Sequence, residues 1–315
     1  IAVVSNAPSA KKFRGRFPYG PPSPSAVARL ARCWDFRDPA QDPENESTWK
    51  FTKNPVVQLA WHECFNQYGN LLDWRKTILP VFDMWCEEAD VCDELVPIAA
   101  GGTERRYECN GYSTTERDPK VFRNSIMAAM DGWTCERGDG ALLVVAGKFR
   151  EKYVATLTDE DVVGAQVRYG VLPSETINRL VPKITYPATD YVGTDVDWFE
   201  DHAGQIRLGR VLPQTMELDY VHQWRQGRRL GKREWLRLQA KTRGTIDIRL
   251  SGLNAIYAPW VRLETPRMIP RLNAAVIANR RSALNLMAGG YQMSFIQMPG
   301  SGHEIDHWDE LTDEG

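Results

Sequence analysis

"VHQWRQGRRLGKREWLRLQAK", residues 221–241, reads as a helix that has to lie flat against something. Trp224, Gly227, Leu230, Gly231, Trp235 and Leu238 recur on one face at helical spacing. A glycine inside a helix costs about 1 kcal/mol relative to alanine. Packing offsets that loss where two glycines four apart let the helix backbone lie close on a sheet, with the tryptophans flanking the contact. The sequence around the helix supplies the sheet. "INRLVPKITYP" (177–187), "TIDIRLSGL" (245–253), "WVRLETP" (260–266) and "YQMSFIQMP" (291–299) are short strand candidates divided by turn signals. This is the pattern of an antiparallel β-barrel-like domain over residues 161–300, with the helix plugging or covering one end.

Upstream the pattern differs. Asn54-Pro55 caps and opens a helix carrying Val57, Ala60, Trp61, Cys64, Phe65 and Tyr68 on one side, closed by Gly69. Asp118-Pro119 opens a second, with Phe122, Ile126, Ala129 and Met130 on one side before Gly132. Between them "LPVFDMWCEEADVCDELV" (79–96) reads as a helix with Pro80 in its first turn. "RRYECNGY" (105–112) offers an Asn110-Gly111 turn, and "WTCERGDGALLVVAGK" (133–148) a hairpin through Gly138-Asp139-Gly140. Residues 46–160 therefore form a small mixed α/β domain, and the whole chain is α+β. Before it, residues 1–45 read as an extended N-terminal arm, because "NAPSAKKFRGRFPYGPPSPSA" (6–26) is rich in proline, glycine and cations. Residues 301–315 form an acidic C-terminal tail.

Composition narrows the function. With 39 Lys and Arg against 41 Asp and Glu in 315 residues, a net charge of −2 gives no global field to draw nucleic acid or an anionic surface. No run of apolar residues is long enough for a membrane span. The first residues turn polar too soon for a cleaved signal peptide, and Ile1 in place of methionine suggests a processed product or a fragment. Cys33, Cys64, Cys86, Cys92, Cys109 and Cys135 form no CxxC pair and read as reduced, mostly buried thiols.

Three features invite a chemical reading. His303-Glu304-Ile305-Asp306-His307 matches the zinc-protease spacing of two histidines four apart with a glutamate beside the first. It follows Pro299-Gly300-Ser301-Gly302, lacks an apolar helical face, and would need His62, His202 or His222 as its third ligand, so a solvated tail is the better reading. Arg225, Arg228, Arg229, Lys232, Arg233, Arg237, Lys241 and Arg243 crowd one helix beside a single acid, Glu234. Such a run is the wet side of an amphipathic helix or a docking face for an acidic partner before it is a nucleic-acid site. Most of the eleven tryptophans have core explanations, but Trp198 in "DVDWFEDHAG" and Trp308 have none. The interface candidates are thus Trp198, Arg225, Arg228, Arg229 and Trp308. The pairs Asp195/Asp197 and Asp159/Asp161 sit where carboxylates cap turns. No catalytic residue, cofactor site or metal site is expected.

One resemblance covers the chain from about residue 30 to 300. "CWDFRDPAQDPENESTWKFTKNPVVQLAWHE" (33–63) resembles a segment of phage tail-tip hub proteins, in which an aspartate-arginine-proline-like stretch precedes a tryptophan and then a helix-opening asparagine-proline. "EEADVCDELV", "RRYECNGYSTTERDP", "LLVVAGKFREKYVATLTDEDVV", "INRLVPKITYPATDY" and "RRLGKREWLRLQAKTRGTIDIRLSGLNAIYAPWVRL" follow in the order of the tip attachment protein J, or host-specificity, family. The resemblance implies a homotrimeric hub closing the distal tail tube in the virion, made in the bacterial host cytoplasm. Its partners would be other tail-tip or baseplate proteins, the distal tail protein and the tape-measure protein, with no sequence-specific nucleic acid and no stable membrane insertion. Family members carry a large hub domain upstream and receptor-binding or fibronectin-like domains downstream, so what the resemblance implies here is the hub and not host recognition; the alternative is a receptor- or glycan-binding tip module using exposed tryptophans.

Overall fold

The computed structural model describes residues 12–13, 15, 26–98, 101–114, 116–148, 155–169, 176–239, 242–249, 261–264 and 290–296. Helices come first: α1 (Pro55–Cys64), α2 (Trp74–Thr77), α3 (Phe82–Asp93), then α4 (Pro119–Ala129) after two short strands, β1 (Leu95–Pro97) and β2 (Thr103–Arg105). Next come β3 (Trp133–Glu136), β4 (Leu142–Val145), β5 (Ala155–Thr158), β6 (Val162–Tyr169), β7 (Arg179–Tyr186), β8 (Val192–Asp195) and β9 (Phe199–Glu200). The last elements are α5 (His202–Leu208), β10 (Pro213–Leu218), α6 (Trp224–Leu238), β11 (Thr242–Arg249), β12 (Val261–Glu264) and β13 (Gly290–Ile296).

The α1 helix starts where its cap dictates. The Asn54 side-chain oxygen accepts from the backbone N–H of Val56 and Val57 at 3.0 and 3.3 Å, and Pro55 sits where no donor is needed. The other end of the same amide is equally committed, with Nδ2 donating to the Ala89 carbonyl and to Asp93 Oδ2, both at 2.8 Å, so the cap of α1 also fastens the end of α3. The helix stops at Cys64, five residues before Gly69. Gly69 instead brings the chain back over the helix end, where a Cβ would stand 1.9 Å from the His62 carbonyl oxygen. Asn54→Asp would keep the cap and lose both donors while setting a carboxylate against Asp93. It is expected to cost about 1–3 kcal/mol, checked by urea denaturation against the parent.

Around α1 the core is aromatic and edge-on. Trp34 meets Phe36, Phe65 and Trp74 at centroid distances of 5.9, 5.8 and 5.2 Å, and Phe36 meets Trp85, which is fully buried and donates its indole N–H to the Leu142 carbonyl at 2.8 Å. Residues 33–36, drawn from the stretch read as an arm, are part of this core. Arg37 beside them grips Asp35, Asp90 and Asp93 at 2.8–2.9 Å, which is what the aspartate-arginine-proline stretch does physically: it ties the start of the core to the last turns of α3. All six cysteines are free, with Cys33, Cys64, Cys92 and Cys109 buried.

The α+β reading of the chain holds, and the later half is built as open sheets. Among the described residues no sheet closes into a barrel; they form β10-β7-β8 with β9 also on β7, β13-β11-β6, β12-β5, β3-β4 and β1-β2. Two pairings are parallel, β10 with β7 and β12 with β5, where a wholly antiparallel set was expected. The parallel β7–β10 pairing is possible because β8 and β9 run back along β7 to its starting end, and α5 then carries the chain across to the other edge of β7. The β3–β4 hairpin forms as expected, Trp133 facing Val145 and Glu136 facing Leu142. The Asn110-Gly111 turn does not. Gly111 lies against the face of Tyr220, where a Cβ would be 2.2 Å from the ring, and Asn110 N–H donates to the Tyr220 carbonyl at 2.8 Å.

The α6 helix lies on β7 as its glycines demand. A Cβ on Gly227 would stand 2.7 Å from Ile184 Cγ2, and one on Gly231 would stand 2.3 Å from Pro182 Cγ and 3.0 Å from Phe199 Cε2. Leu180, Pro182 and Ile184 alternate along β7 with more exposed neighbours and form the buried strip beneath the helix.

Candidate functional site

The basic helix is the first place to look, and its charges turn inward. Arg229 pairs with Glu104 and donates to the Arg106 carbonyl at 3.0 Å; Arg225 reaches Glu104 at 3.7 Å and Arg228 reaches Asp197 at 3.9 Å. Arg233 Nε donates to Asp131 Oδ2 at 2.8 Å, and Arg237 grips both oxygens of the same carboxylate at 2.6 and 2.5 Å. No residue of α6 is fully exposed. What reads in sequence as one wet cationic face is spread around a covered helix, each arginine reaching an acid from another part of the chain, and the acids are the residues that sequence alone does not connect. Burial pushes the Asp131 carboxyl up, but the attraction of Arg237 and Arg233 and their hydrogen bonds win, holding it at about 2. Gln226, fully buried on the same helix, acts as a piece of backbone: it accepts from Glu108 N–H at 3.1 Å and donates to the Glu108 and Ala129 carbonyls at 2.9 and 2.7 Å.

Trp198 stands out instead. It is 56% exposed, the one exposed tryptophan among the described residues. The cause lies in β7. Lys183 faces Asp195 and Tyr186 faces Val192 in the β7–β8 register, whereas Leu180 faces Phe199 and Arg179 faces Glu200 in β7–β9, a shift of one residue. Pro182 sits between, with no N–H to offer its neighbour, and Val196 N–H donates to its carbonyl at 2.7 Å. The extra residue is a bulge. With regular alternation Trp198, two after Val196, would face α6. With the bulge Phe199 takes that place beside Val196, and Asp197 and Trp198 both point outward. Pro182 within the strand run at 177–187 is the sequence signal for this.

The exposed indole is fastened. Arg179 lies over the ring at 5.5 Å from its centroid, and its Nε and Nη2 are held on Glu200 Oε2 at 2.9 and 2.6 Å. Gln205 donates to the same oxygen at 3.1 Å and His202 lies 3.3 Å from the other. Hydrogen bonds from Gln205 and Arg179, joined by one from Trp198, hold the Glu200 carboxyl at about 2.

The remaining candidates have local work. His62 is buried, its Nε2 3.1 Å from the Pro119 carbonyl and its Nδ1 3.2 Å from the Asn66 amide, and burial lowers its pKa. His222 stacks edge-on with Tyr191 at 5.3 Å. Asp161 accepts from Thr158 N–H and hydroxyl at 3.0 and 3.1 Å, capping the turn into β6. Among the described residues no three His, Cys, Asp or Glu side chains gather as metal ligands, and no helix is long and apolar enough to cross a membrane. Trp308 and His303–His307 lie outside the described residues.

No protein-family model matches the chain, and no curated protein matches it. Among solved structures it is similar to a protein of the virion of a native gene transfer agent particle, at 14% identity and a TM-score of 0.44 over 68% of this chain and 45% of that one. It is also similar to the 43 kDa tail protein of prophage MuSo2 from Shewanella oneidensis, at 13% identity and a TM-score of 0.33 over 75% of this chain and 65% of that one. A tail protein from Neisseria meningitidis MC58 follows, at 10% identity and a TM-score of 0.35 over 74% and 68%. The chain spans less than half the length of the gene transfer agent protein.

Proposed function

We propose that this chain is a structural protein of a phage or phage-like tail, a hub at the tail tip that works by surfaces rather than by catalysis. The observation that carries the reading is the collinear series of segments between about residues 30 and 300 that resembles the tip attachment protein J family. The state of the ionisable groups supports it. Asp38, Glu94, Asp131, Asp139 and Glu200 are all held below their usual values by arginine, lysine, amide or backbone donors, so they are ionised and poor proton donors at neutral pH. Burial pushes the Cys33 and Cys64 thiols up to about 12 and raises those of Cys92 and Cys109 as well, the opposite of what a nucleophile needs. These are groups tuned to hold a shape.

In this reading three copies close a ring at the distal end of the tube, and each copy meets its neighbours through two different patches. Sedimentation of the purified chain, alone and with the upstream tail protein, tests it. Three copies per particle are expected in at least one of the two; a monomer in both would overturn the hub. A monomer that retains a glycan through Trp198 would identify a receptor-binding module instead.

A further inference from the structure

We infer that copies of this chain join edge to edge, the free side of β8 in one copy pairing antiparallel with the free side of β10 in the next. The inference rests on the ring-forming reading above and names the contact that closes the ring.

Both edges belong to one sheet. In the order β10-β7-β8, β7 is central, and β10 and β8 each keep one side that no strand covers among the described residues. Alternation decides which backbone groups lie there. Thr185 N–H is spent toward β10, on the Val221 carbonyl at 3.1 Å, and Val196 N–H bonds the Pro182 carbonyl at 2.7 Å. Val192, Thr194 and Val196 therefore turn their backbone groups toward β7, while Gly193 and Asp195 turn theirs away from it. On β10, Leu212 faces β7, its carbonyl accepting from Asn178 N–H at 3.1 Å. Gln214, Met216 and Leu218 keep that phase, and Pro213, Thr215 and Glu217 face outward. Neither edge is well blunted: β8 carries no lysine or proline, and β10 has a proline only at its first position.

Direction and register follow from the same strands. β10 runs with β7 and β8 runs against it, so a sheet continued from one copy into the next sets β8 and β10 antiparallel. Placing Asp195 opposite Thr215 and Gly193 opposite Glu217 matches each outward N–H with an outward carbonyl. Slid two residues one way, Asp195 faces Glu217, a pair of like charges; slid the other way, it faces Pro213, which has no N–H to give. Charge favours the first setting too. A Cβ on Gly193 would stand 2.8 Å from Lys183 Cε, so the glycine is what lets Lys183 lean over the edge where Glu217 of the next copy arrives. Within one copy Lys183 and Glu217 are 3.6 Å apart and both exposed, too far for a hydrogen bond, so each still has room for the other's counterpart. Beyond Asp195 and Pro213, exposed Trp198 comes beside exposed Val211 of the next copy, and each covers apolar surface of the other. The ladder stops at Asp219, whose carbonyl the Thr185 hydroxyl holds at 2.8 Å. The two edges are different surfaces of one polypeptide, so the contact is head to tail and generates a ring where the rotation closes.

Disulfide trapping tests the contact and its register. Full-length copies carrying Asp195→Cys are mixed with copies carrying Thr215→Cys, alone and with the upstream tail protein, and treated with oxidised glutathione. Facing residues of such a pair have Cα atoms about 5.5 Å apart, within disulfide reach. Mass spectrometry of the linked peptides should find residue 195 of one copy joined to residue 215 of another. The yield should be about five-fold or more above that of Asp195→Cys with Gln214→Cys, whose side chain leaves the opposite face of the sheet. Adding Glu217→Pro to the Thr215→Cys copies removes an outward donor and the charge but no bond to β7. It should bring the yield to background and leave the circular dichroism unchanged. Three-copy particles that lack the 195–215 link, or that form it regardless of Glu217→Pro, overturn the edge contact and leave the hub. A parent chain that sediments as a monomer under both conditions removes the hub and this contact with it.

Discussion

Asp131→Asn lowers the stability of the chain by about 3–5 kcal/mol, read as a fall in the unfolding midpoint on the order of 10 °C. The substitution keeps size and backbone. Asp131 lies at φ 48°, a left-handed position that asparagine tolerates as well as aspartate, so no strain is added. What goes is the charge between Arg233 and Arg237, whose side chains are 11% and 22% exposed, leaving two cations to face each other with an amide between them. The same site sets a pH dependence. Its carboxyl is held at about 2 against an ordinary 3.8, a depressed value, so its contribution is present above about pH 4 and is lost as pH falls through 2. About 2 kcal/mol is tied to that window. Denaturation of parent and variant at pH 7, 4 and 2 should therefore show a gap that is constant down to about 4 and narrows below it; a gap that ignores pH would mean the carboxylate is not what holds the arginines.

The stakes of this site come from where it acts. Asp131 follows α4, in the earlier half of the chain, while Arg233 and Arg237 lie on α6 in the later half. Gln226, one helical stretch before, joins the same two halves through the backbone of Glu108 and Ala129, and Arg229 does so through Glu104. One buried core runs across both, from Cys33 to Leu230. α6 is thus the member through which the sheet around β7 is fastened to the helical part, and the polar face that looks made for an outside partner is what fastens it.

How far this was legible depends on the range of the physics. Caps are local: Asn54-Pro55 and Asp118-Pro119 announce α1 and α4, and both helices start there. The strand runs at 177–187, 245–253, 260–266 and 291–299 all contain strands, because β-branched and alternating patterns are also local. Pairing is not. Nothing in residues 213–218 says that they align parallel to β7, and the same Asn-Gly dipeptide that turns a hairpin elsewhere serves here as a landing for Tyr220 from 109 residues away. The arginines of α6 were visible and their partners were not, since Glu104, Asp131 and Asp197 are scattered through the chain. Trp198 was legible as a tryptophan without a core role; that a bulge opposite Pro182 turns it outward, and that Arg179 and Glu200 hold it, needed the register.

Gly227→Ala and Gly231→Ala together test the other half of the same fastening. By local propensity alone the pair should stabilise α6 by about 2 kcal/mol. Packing reverses the sign. The new methyl at 231 would overlap Pro182 Cγ at 2.3 Å, and Pro182 cannot yield, because its ring is rigid and its strand is paired on both sides by β10 and by β8 and β9. The methyl at 227 would press on Ile184 at 2.7 Å and Val196 at 3.2 Å, two buried side chains on the same sheet. The helix has to rise from the sheet, and as it rises the Gln226 bonds to Glu108 and Ala129 and the arginine grips on Asp131 lengthen with it. Overpacking of this kind costs about 1–3 kcal/mol at each site, and the strained polar contacts add to it, so a net loss of about 3 kcal/mol is expected despite the better helix former. Gly138→Ala is the control, since its Cβ would meet nothing within 4 Å and should leave the midpoint within about 0.5 kcal/mol of the parent. Guanidinium denaturation of the three proteins decides it. If the double variant proves as stable as the control, α6 is not seated on β7 through its glycines, and the reading of residues 221–241 from which the fold was built is wrong.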